Sequence, residues 1–143
     1  KKTETQAHLD ITHFRALTHE EEVQIENECN RIARAAVDIH KYEMPKEKAE
    51  LKFGFSLYQG GVVPGSTLRI VDIDGVDQEA CCGTHCDNTA EIGFVRIIKT
   101  GRISDGVVRL YFVAGDRAIE QTNYGMCLPF PCIALCALYL GCC

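Results

Sequence analysis

Three strand-like segments in the second half of the chain constrain its fold most strongly. They are rich in β-branched and aromatic residues, and turn-prone Asp-Gly, Asn-Thr and Ser-Asp-Gly sequences separate them. Such segments favour the strands of an antiparallel or mixed sheet. We therefore predict strands over residues 67–73, 92–100 and 107–114.

The first half of the chain adds a strand and two helices. Residues 7–12 alternate between small or apolar and polar side chains, as in a half-buried strand. Thr18 precedes Glu21 by three residues, which is the spacing of a capping box, and an apolar stripe continues to about residue 38. We predict a long helix over residues 18–38 and a short helix that begins at Pro45, which together with the strands indicates an α+β fold.

Length and composition indicate one compact domain in a reducing compartment. The 143 residues carry a net charge of −5, which argues against a protein that coats nucleic acid nonspecifically. Five of the nine cysteines fall in the last 17 residues, unlike the disulfide framework of a secreted protein. The chain begins without an apolar leader segment. We therefore expect a cytoplasmic protein.

The apolar, cysteine-rich segment 121–143 differs in composition from residues 1–120, which we predict to form the folded domain. Pro129 and Pro131 shorten any unbroken helix in this segment below the length that a bilayer requires. We expect a packed or disordered terminal segment and no membrane partner. A cloning or gene-annotation artefact and a transmembrane segment remain as alternatives, and the role of the segment is unknown.

Cys81 and His85 form a Cys-x-x-x-His pair, in which a thiolate and an imidazole suit zinc better than calcium or magnesium. Two ligands do not make a complete site. Cys82 and Cys86 are nearby, but Cys82 adjoins Cys81 and is poorly placed to share one tetrahedral ion with it. The alternative is a buried thiol beside a surface histidine.

Four segments together resemble the editing domain of alanyl-tRNA synthetases of the archaeal type, and related free-standing editing proteins. The resemblance covers residues 1–120 and implies the α+β fold of that domain. The DITHF and YQGGVVPG elements distinguish it from the editing domain of threonyl-tRNA synthetases. The segments are LDITHFRALTHEE (9–21), FGFSLYQGGVVPG (53–65), DQEACCGTH (77–85) and NTAEIGFVRIIKTGRISDGVVRLYFVAG (88–115).

The resemblance implies that Cys81 and His85 are zinc ligands. In the family a His-x-x-x-His motif before the DITHF strand supplies the other ligands, and this sequence begins too late to contain it. We therefore expect an incomplete zinc site in this chain and assign no catalytic residue beyond the metal ligands. The chain also departs from the family at Cys82, where a small residue is usual, and after about Gln121.

Further site residues follow from the same resemblance, each with a structural alternative. Gly60 and Gly61 approach the substrate or serve a special backbone conformation. Thr84 contacts the substrate or is a turn residue, and His13 lines the cleft or makes a structural hydrogen bond. Arg109 binds tRNA phosphate or lies on a solvated strand face.

The implied function is hydrolysis of the ester that joins serine or glycine to tRNA(Ala), as part of an alanyl-tRNA synthetase, which is an ATP-dependent alanine–tRNA ligase. Editing is needed because a site for alanine cannot strongly exclude serine or glycine. The partners would be mischarged tRNA(Ala) and the rest of the synthetase, and the isolated chain would have little activity. The alternatives are a free-standing editing protein and a non-catalytic tRNA-binding or zinc-binding structural module.

Overall fold

In the described part of the chain, two small antiparallel sheets and three α-helices confirm the predicted α+β class. A computed structural model describes residues 6–58, 61 and 63–125. One sheet has the strand order β1-β6-β5 and the other has the order β2-β3-β4. The elements are β1 (Ala7–Thr12), α1 (His19–Arg34), β2 (Ile39–Pro45), α2 (Lys46–Phe53), β3 (Thr67–Ile73), β4 (Asp77–Ala80), β5 (Val95–Ser104), β6 (Val107–Ala114) and α3 (Asp116–Gly125), with 3-10 turns at Gly54–Leu57 and Thr89–Ile92.

The first sheet has β6 as its central strand. β1 and β5 pair with β6 in antiparallel register, with Leu9 opposite Leu110 and Ile11 opposite Val108. Val108 and Leu110 are buried, because alternate residues of a strand point to the same face and this face is packed. The predicted strand 107–114 is confirmed by β6.

The second sheet carries the main apolar cluster. Ala49 of α2 and Leu57 of the first 3-10 turn pack against Leu68 and Ile70 of β3, and all four are buried. β3 coincides with the predicted strand 67–73. β2 and β4 were not predicted, because their sequences lack an apolar run and β3 holds them in place through backbone hydrogen bonds.

The capping box of α1 is confirmed, but the predicted helix end at residue 38 is wrong. Thr18 Oγ1 accepts from the backbone N–H of Glu21, and the Glu21 side chain accepts from the N–H of Thr18. The helix ends at Arg34 because Ala36 adopts a φ of 52°, which a right-handed helix excludes. Val37 then donates its N–H to Thr89 Oγ1 at 2.8 Å.

The other predicted boundaries shift by a few residues. β5 begins at Val95 instead of residue 92, because Asn88 caps a 3-10 turn over Thr89–Ile92 and Gly93 follows with a φ of 70°. Pro45 ends β2 and precedes α2, instead of being its first residue. Directly after α2, the first four residues of the glycine-rich segment form the 3-10 turn Gly54–Leu57.

The C-terminal part of the fold contains a helix that was not predicted. α3 packs against β5 and β6, with Ala118 buried, and it runs across the predicted boundary at residue 120. Among residues 6–58, 61 and 63–125, no helix is long and apolar enough to cross a membrane. The predictions for residues 126–143 lie outside the described residues.

Candidate functional site

The candidate site lies on residues 81–87, named here the site loop, which follow β4 in the chain and end beside the start of β2. Cys81 donates its backbone N–H to the carbonyl of Arg69 at 3.1 Å. At the other end, the N–H of Ile39 donates to the carbonyl of Asp87 at 2.8 Å. Both ends of the loop are therefore attached to strands of the same sheet.

The side chains of Cys81 and His85 lie close together. A Cβ atom built on Gly83 would lie 3.5 Å from Cys81 Sγ and 3.5 Å from His85 Cε1. The two side chains therefore flank one space and are separated by no more than twice that distance. Glycine leaves this space free, because a larger residue at position 83 would place its side chain there.

His85 has a ring nitrogen available for a ligand. Its Nδ1 is buried and has no hydrogen-bond partner in the described structure. A buried polar atom without a partner costs free energy, so such atoms often mark functional sites. With the thiol of Cys81 across the space beside Gly83, this nitrogen belongs to a donor pair that suits zinc.

These two residues fit a zinc site as two of its ligands, but they do not complete one. In the part of the chain that the structure describes, no three His, Cys, Asp or Glu residues are grouped to hold a metal ion. Cys82 and Cys86 of the site loop are free thiols and do not form such a group with Cys81 and His85. Further ligands would have to come from outside the described residues.

Two cations of the second sheet hold the site loop. Arg69 Nη1 donates to the carbonyl oxygens of Cys81 at 2.7 Å and Gly83 at 2.9 Å. Lys41 Nζ donates to the carbonyl of His85 at 3.2 Å, and it also pairs with the carboxylate of Asp87. This hydrogen bond from Lys41 holds the pKa of Asp87 below its usual range.

Arg69 and Lys41 are site residues that sequence patterns alone did not indicate. One sequence feature could have pointed to Arg69, since it is the only basic residue in the otherwise largely apolar strand TLRIVDI. No such feature pointed to Lys41, because β2 itself was not predicted. The pairing of β3 with β4 brings Arg69 to the loop, and the pairing of β2 with β3 brings Lys41 to it.

Residues 54–58 and Val63, which flank the glycine pair Gly60 and Gly61, pack near the end of β4, where the site loop begins. The 3-10 turn Gly54–Leu57 contacts β4, and Tyr58 and Val63 pack on the same apolar cluster as Ala80, which precedes Cys81. Gly61 has a φ of 130°, a conformation that favours glycine. Gly60 lies outside the described residues. Thr84 is exposed on the site loop.

His13 lies on the first sheet, immediately after β1. Its backbone N–H donates to the carbonyl of Gly106 at 2.9 Å, and its ring lies 4.8 Å from the ring of Phe14. The Nε2 atom is buried and, in the described structure, has no hydrogen-bond partner. The structure therefore gives His13 a backbone role at the strand end and leaves one ring nitrogen for another group.

Arg109 is engaged with Asp10 of the neighbouring strand. Its Nε and Nη2 atoms donate to the two carboxylate oxygens of Asp10 at 2.6 and 2.7 Å. The bond from Arg109 lowers the pKa of Asp10, and the same pair raises the pKa of Arg109. Phosphate binding by Arg109 would therefore have to compete with this ion pair.

Comparisons with known proteins show which family the chain resembles. Residues 68–111 match the family model of the threonyl and alanyl tRNA synthetase second additional domain. The match runs from β3 to β6 and includes the whole site loop.

Individual relatives match a longer part of the chain. The chain is 50% identical over 117 residues to the alanine–tRNA ligase of Methanococcus aeolicus, with 82% of this chain and 13% of the relative covered. It is 52% identical over 120 residues to the alanine–tRNA ligase of Cenarchaeum symbiosum and 46% identical over 120 residues to that of Methanopyrus kandleri. In both cases the match covers 84% of this chain and 13% of the relative.

The fold and the site loop define the chain as a second additional domain of the threonyl and alanyl tRNA synthetase class. Within that class, it belongs with the alanine–tRNA ligases of the archaeal type. The chain spans only 13% of the length of these relatives.

Proposed function

We propose that this chain is part of an aminoacyl-tRNA editing domain that hydrolyses the ester between serine or glycine and tRNA(Ala). The observation that carries the proposal is the arrangement of Cys81 and His85 around the space beside Gly83. The identity to alanine–tRNA ligases supports alanine as the amino acid that the parent enzyme must separate from its competitors.

Cys81 and His85 would hold a zinc ion together with ligands from outside the described residues. A bound zinc ion polarises an ester carbonyl or lowers the pKa of a water molecule. The site loop would present these two side chains together, while Arg69 and Lys41 bind its backbone carbonyl groups. Thr84, which is exposed on the loop, and Gly61 are the proposed contacts for the aminoacyl group, and the parent synthetase and tRNA(Ala) are the proposed partners.

His13, Gly60 and Arg109 have weaker support as substrate contacts. His13 keeps an unpaired ring nitrogen, which suits a cleft residue. Arg109 is paired with Asp10, so its contact with tRNA phosphate stays a proposal that a salt-dependent binding measurement on Arg109→Met would test.

A specific observation favours a second candidate function. The described residues provide two metal ligands of the family site and no group of three. A non-catalytic module that binds zinc or tRNA remains compatible with this count, since the fold does not require catalysis.

The test uses a chimera in which the residues of this chain replace the matching segment of the Methanococcus aeolicus alanine–tRNA ligase. We expect the chimera to deacylate Ser-tRNA(Ala) faster than Ala-tRNA(Ala). Cys81→Ala should abolish this activity, and the matched control Cys29→Ala on α1 should retain it, because Cys29 lies outside the site loop.

The outcomes separate the two candidate functions. A chimera that folds, binds tRNA(Ala) and does not deacylate Ser-tRNA(Ala), while the unmodified ligase does, would support the non-catalytic module. Equal activity of the Cys81→Ala and Cys29→Ala chimeras would refute the role of Cys81.

A further inference from the structure

Groups of β2 and β3 bind four alternate carbonyl oxygens of the site loop. Arg69 binds the carbonyls of Cys81 and Gly83, and Lys41 binds that of His85. The backbone of Ile39 binds the next alternate carbonyl, that of residue 87. The second sheet therefore holds the loop at positions spread along its whole length.

A bend of the backbone at Gly83 brings Cys81 and His85 together. In an extended segment, residues four positions apart would be separated by about 13 Å. The short distances from the Gly83 position to both side chains show that the segment curves around this residue. The one guanidinium nitrogen that binds the carbonyls of Cys81 and Gly83 lies at this curve.

We propose that Arg69 is a positioning residue for the site, with Lys41 in a supporting role. Arg69 fixes residue 81 twice, through its own carbonyl, which accepts from the N–H of Cys81, and through its side chain. Hydrogen bonds from a charged donor are roughly twice as strong as neutral ones. The loop therefore takes its geometry from β3, and Arg69 acts through Cys81 and Gly83, without contact with the reacting atoms.

This inference rests on the proposed function, because positioning matters only if Cys81 and His85 form a reactive site. Its structural part can be measured separately. The test variants are Arg69→Met, which keeps the stem and removes the donors, and Arg69→Lys, which retains a positive donor. The matched control is Arg96→Met on β5 of the other sheet, where the arginine pairs with Glu26 of α1.

The first measurement is the ¹³C chemical shift of the backbone carbonyls in the full 143-residue chain. Loss of a charged donor should move the Cys81 and Gly83 carbonyl signals in Arg69→Met and leave those of β1 and β6 in place. Arg69→Lys should restore part of the shift. Arg96→Met should leave the Cys81 and Gly83 signals unchanged.

The second measurement is Ser-tRNA(Ala) deacylation by the same variants in the chimera. A displacement of about 1 Å can reduce a rate about 100-fold. We expect a loss of that order in kcat for Arg69→Met, with KM for the tRNA changed less than about twofold, because ground-state binding is retained. Arg69→Lys should recover part of kcat.

Each result decides for or against the positioning role. Unchanged Cys81 and Gly83 carbonyl signals in Arg69→Met would overturn it, whatever the activity. Shifted signals with an unchanged kcat would also overturn it. If the chimera with wild-type Arg69 does not deacylate Ser-tRNA(Ala), the proposed function fails, and the carbonyl shifts alone then decide whether Arg69 holds the loop.

Discussion

Asn30 of α1 and Val95 of β5 form a reciprocal pair of hydrogen bonds. The Oδ1 atom of Asn30 accepts from the N–H of Val95 at 2.8 Å, and its Nδ2 atom donates to the Val95 carbonyl at 2.9 Å. This side chain therefore binds the edge of β5 as a neighbouring strand would. Asn30 is only 4% exposed, and Glu26 of the same helix accepts from the N–H of Ile97 in a similar way.

Replacement of Asn30 should destabilise the contact between α1 and the first sheet. Asn30→Ala leaves the Val95 backbone groups without these partners, and we expect the free energy of unfolding to fall by about 1 to 3 kcal/mol. Asn27→Ala is the matched control, since Asn27 is exposed on the same helix. Chemical denaturation of both variants measures the difference. Equal unfolding midpoints would show that the paired hydrogen bonds contribute nothing.

A side chain at position 83 should block the metal site without disturbing the fold. Gly83→Ala places a methyl group at an ordinary contact distance of 3.5 Å from Cys81 Sγ and His85 Cε1, in the space between them. We expect an unchanged melting temperature and a loss of zinc from the chimera. Gly101→Ala is the control, because nothing lies within 4 Å of its new Cβ atom. Zinc retention by Gly83→Ala equal to that of the control would place the ion elsewhere.

The 143-residue chain alone should bind zinc weakly and deacylate Ser-tRNA(Ala) negligibly. It provides Cys81 and His85, whereas a catalytic zinc site usually has three protein ligands. Metal analysis after dialysis should give much less than one zinc per chain, while the chimera should bind one.

Any zinc that the chain retains must be tested for its dependence on Cys81, because five further cysteines follow residue 126. One tight zinc lost in Cys81→Ala would show that other residues complete the site. The first variants to examine would then be Cys82→Ala, Cys86→Ala and His13→Ala.

The start of α1 should contribute a pH-dependent stability. The side-chain hydrogen bond from Arg15, followed by that from the Thr18 N–H, lowers the pKa of Glu21 from 4.5 to about 2. A carboxylate whose folded pKa is lowered stabilises the fold above pH 4.5, and this contribution disappears as the pH falls toward 2.

Glu21→Gln should therefore unfold more easily than the wild type at pH 6, with a difference that shrinks steadily below pH 4.5. Arg15→Met should reproduce part of the effect, because it removes the largest cause of the shift. Denaturation midpoints between pH 2 and 7 provide the measurement. A pH-independent difference would assign the effect of Glu21 to helix propensity instead of its charge.

Local sequence determined several elements of this protein without help from the rest of the fold. The capping box at Thr18 and Glu21 and the strands over residues 67–73 and 107–114 could be predicted. In each case the cause is local, because capping depends on residues three apart and strand patterns on alternate residues. The motifs that resemble alanyl-tRNA synthetases are likewise short segments in a fixed order.

Tertiary structure decided the rest, because the forces responsible act between residues that are distant in sequence. β2 and β4 exist through their pairing with β3, and α1 ends where residues 37 and 89 form hydrogen bonds. The same holds at the site. Arg69 and Lys41 reach the site loop only because the second sheet places β3 between β2 and β4, and no local pattern encodes these contacts.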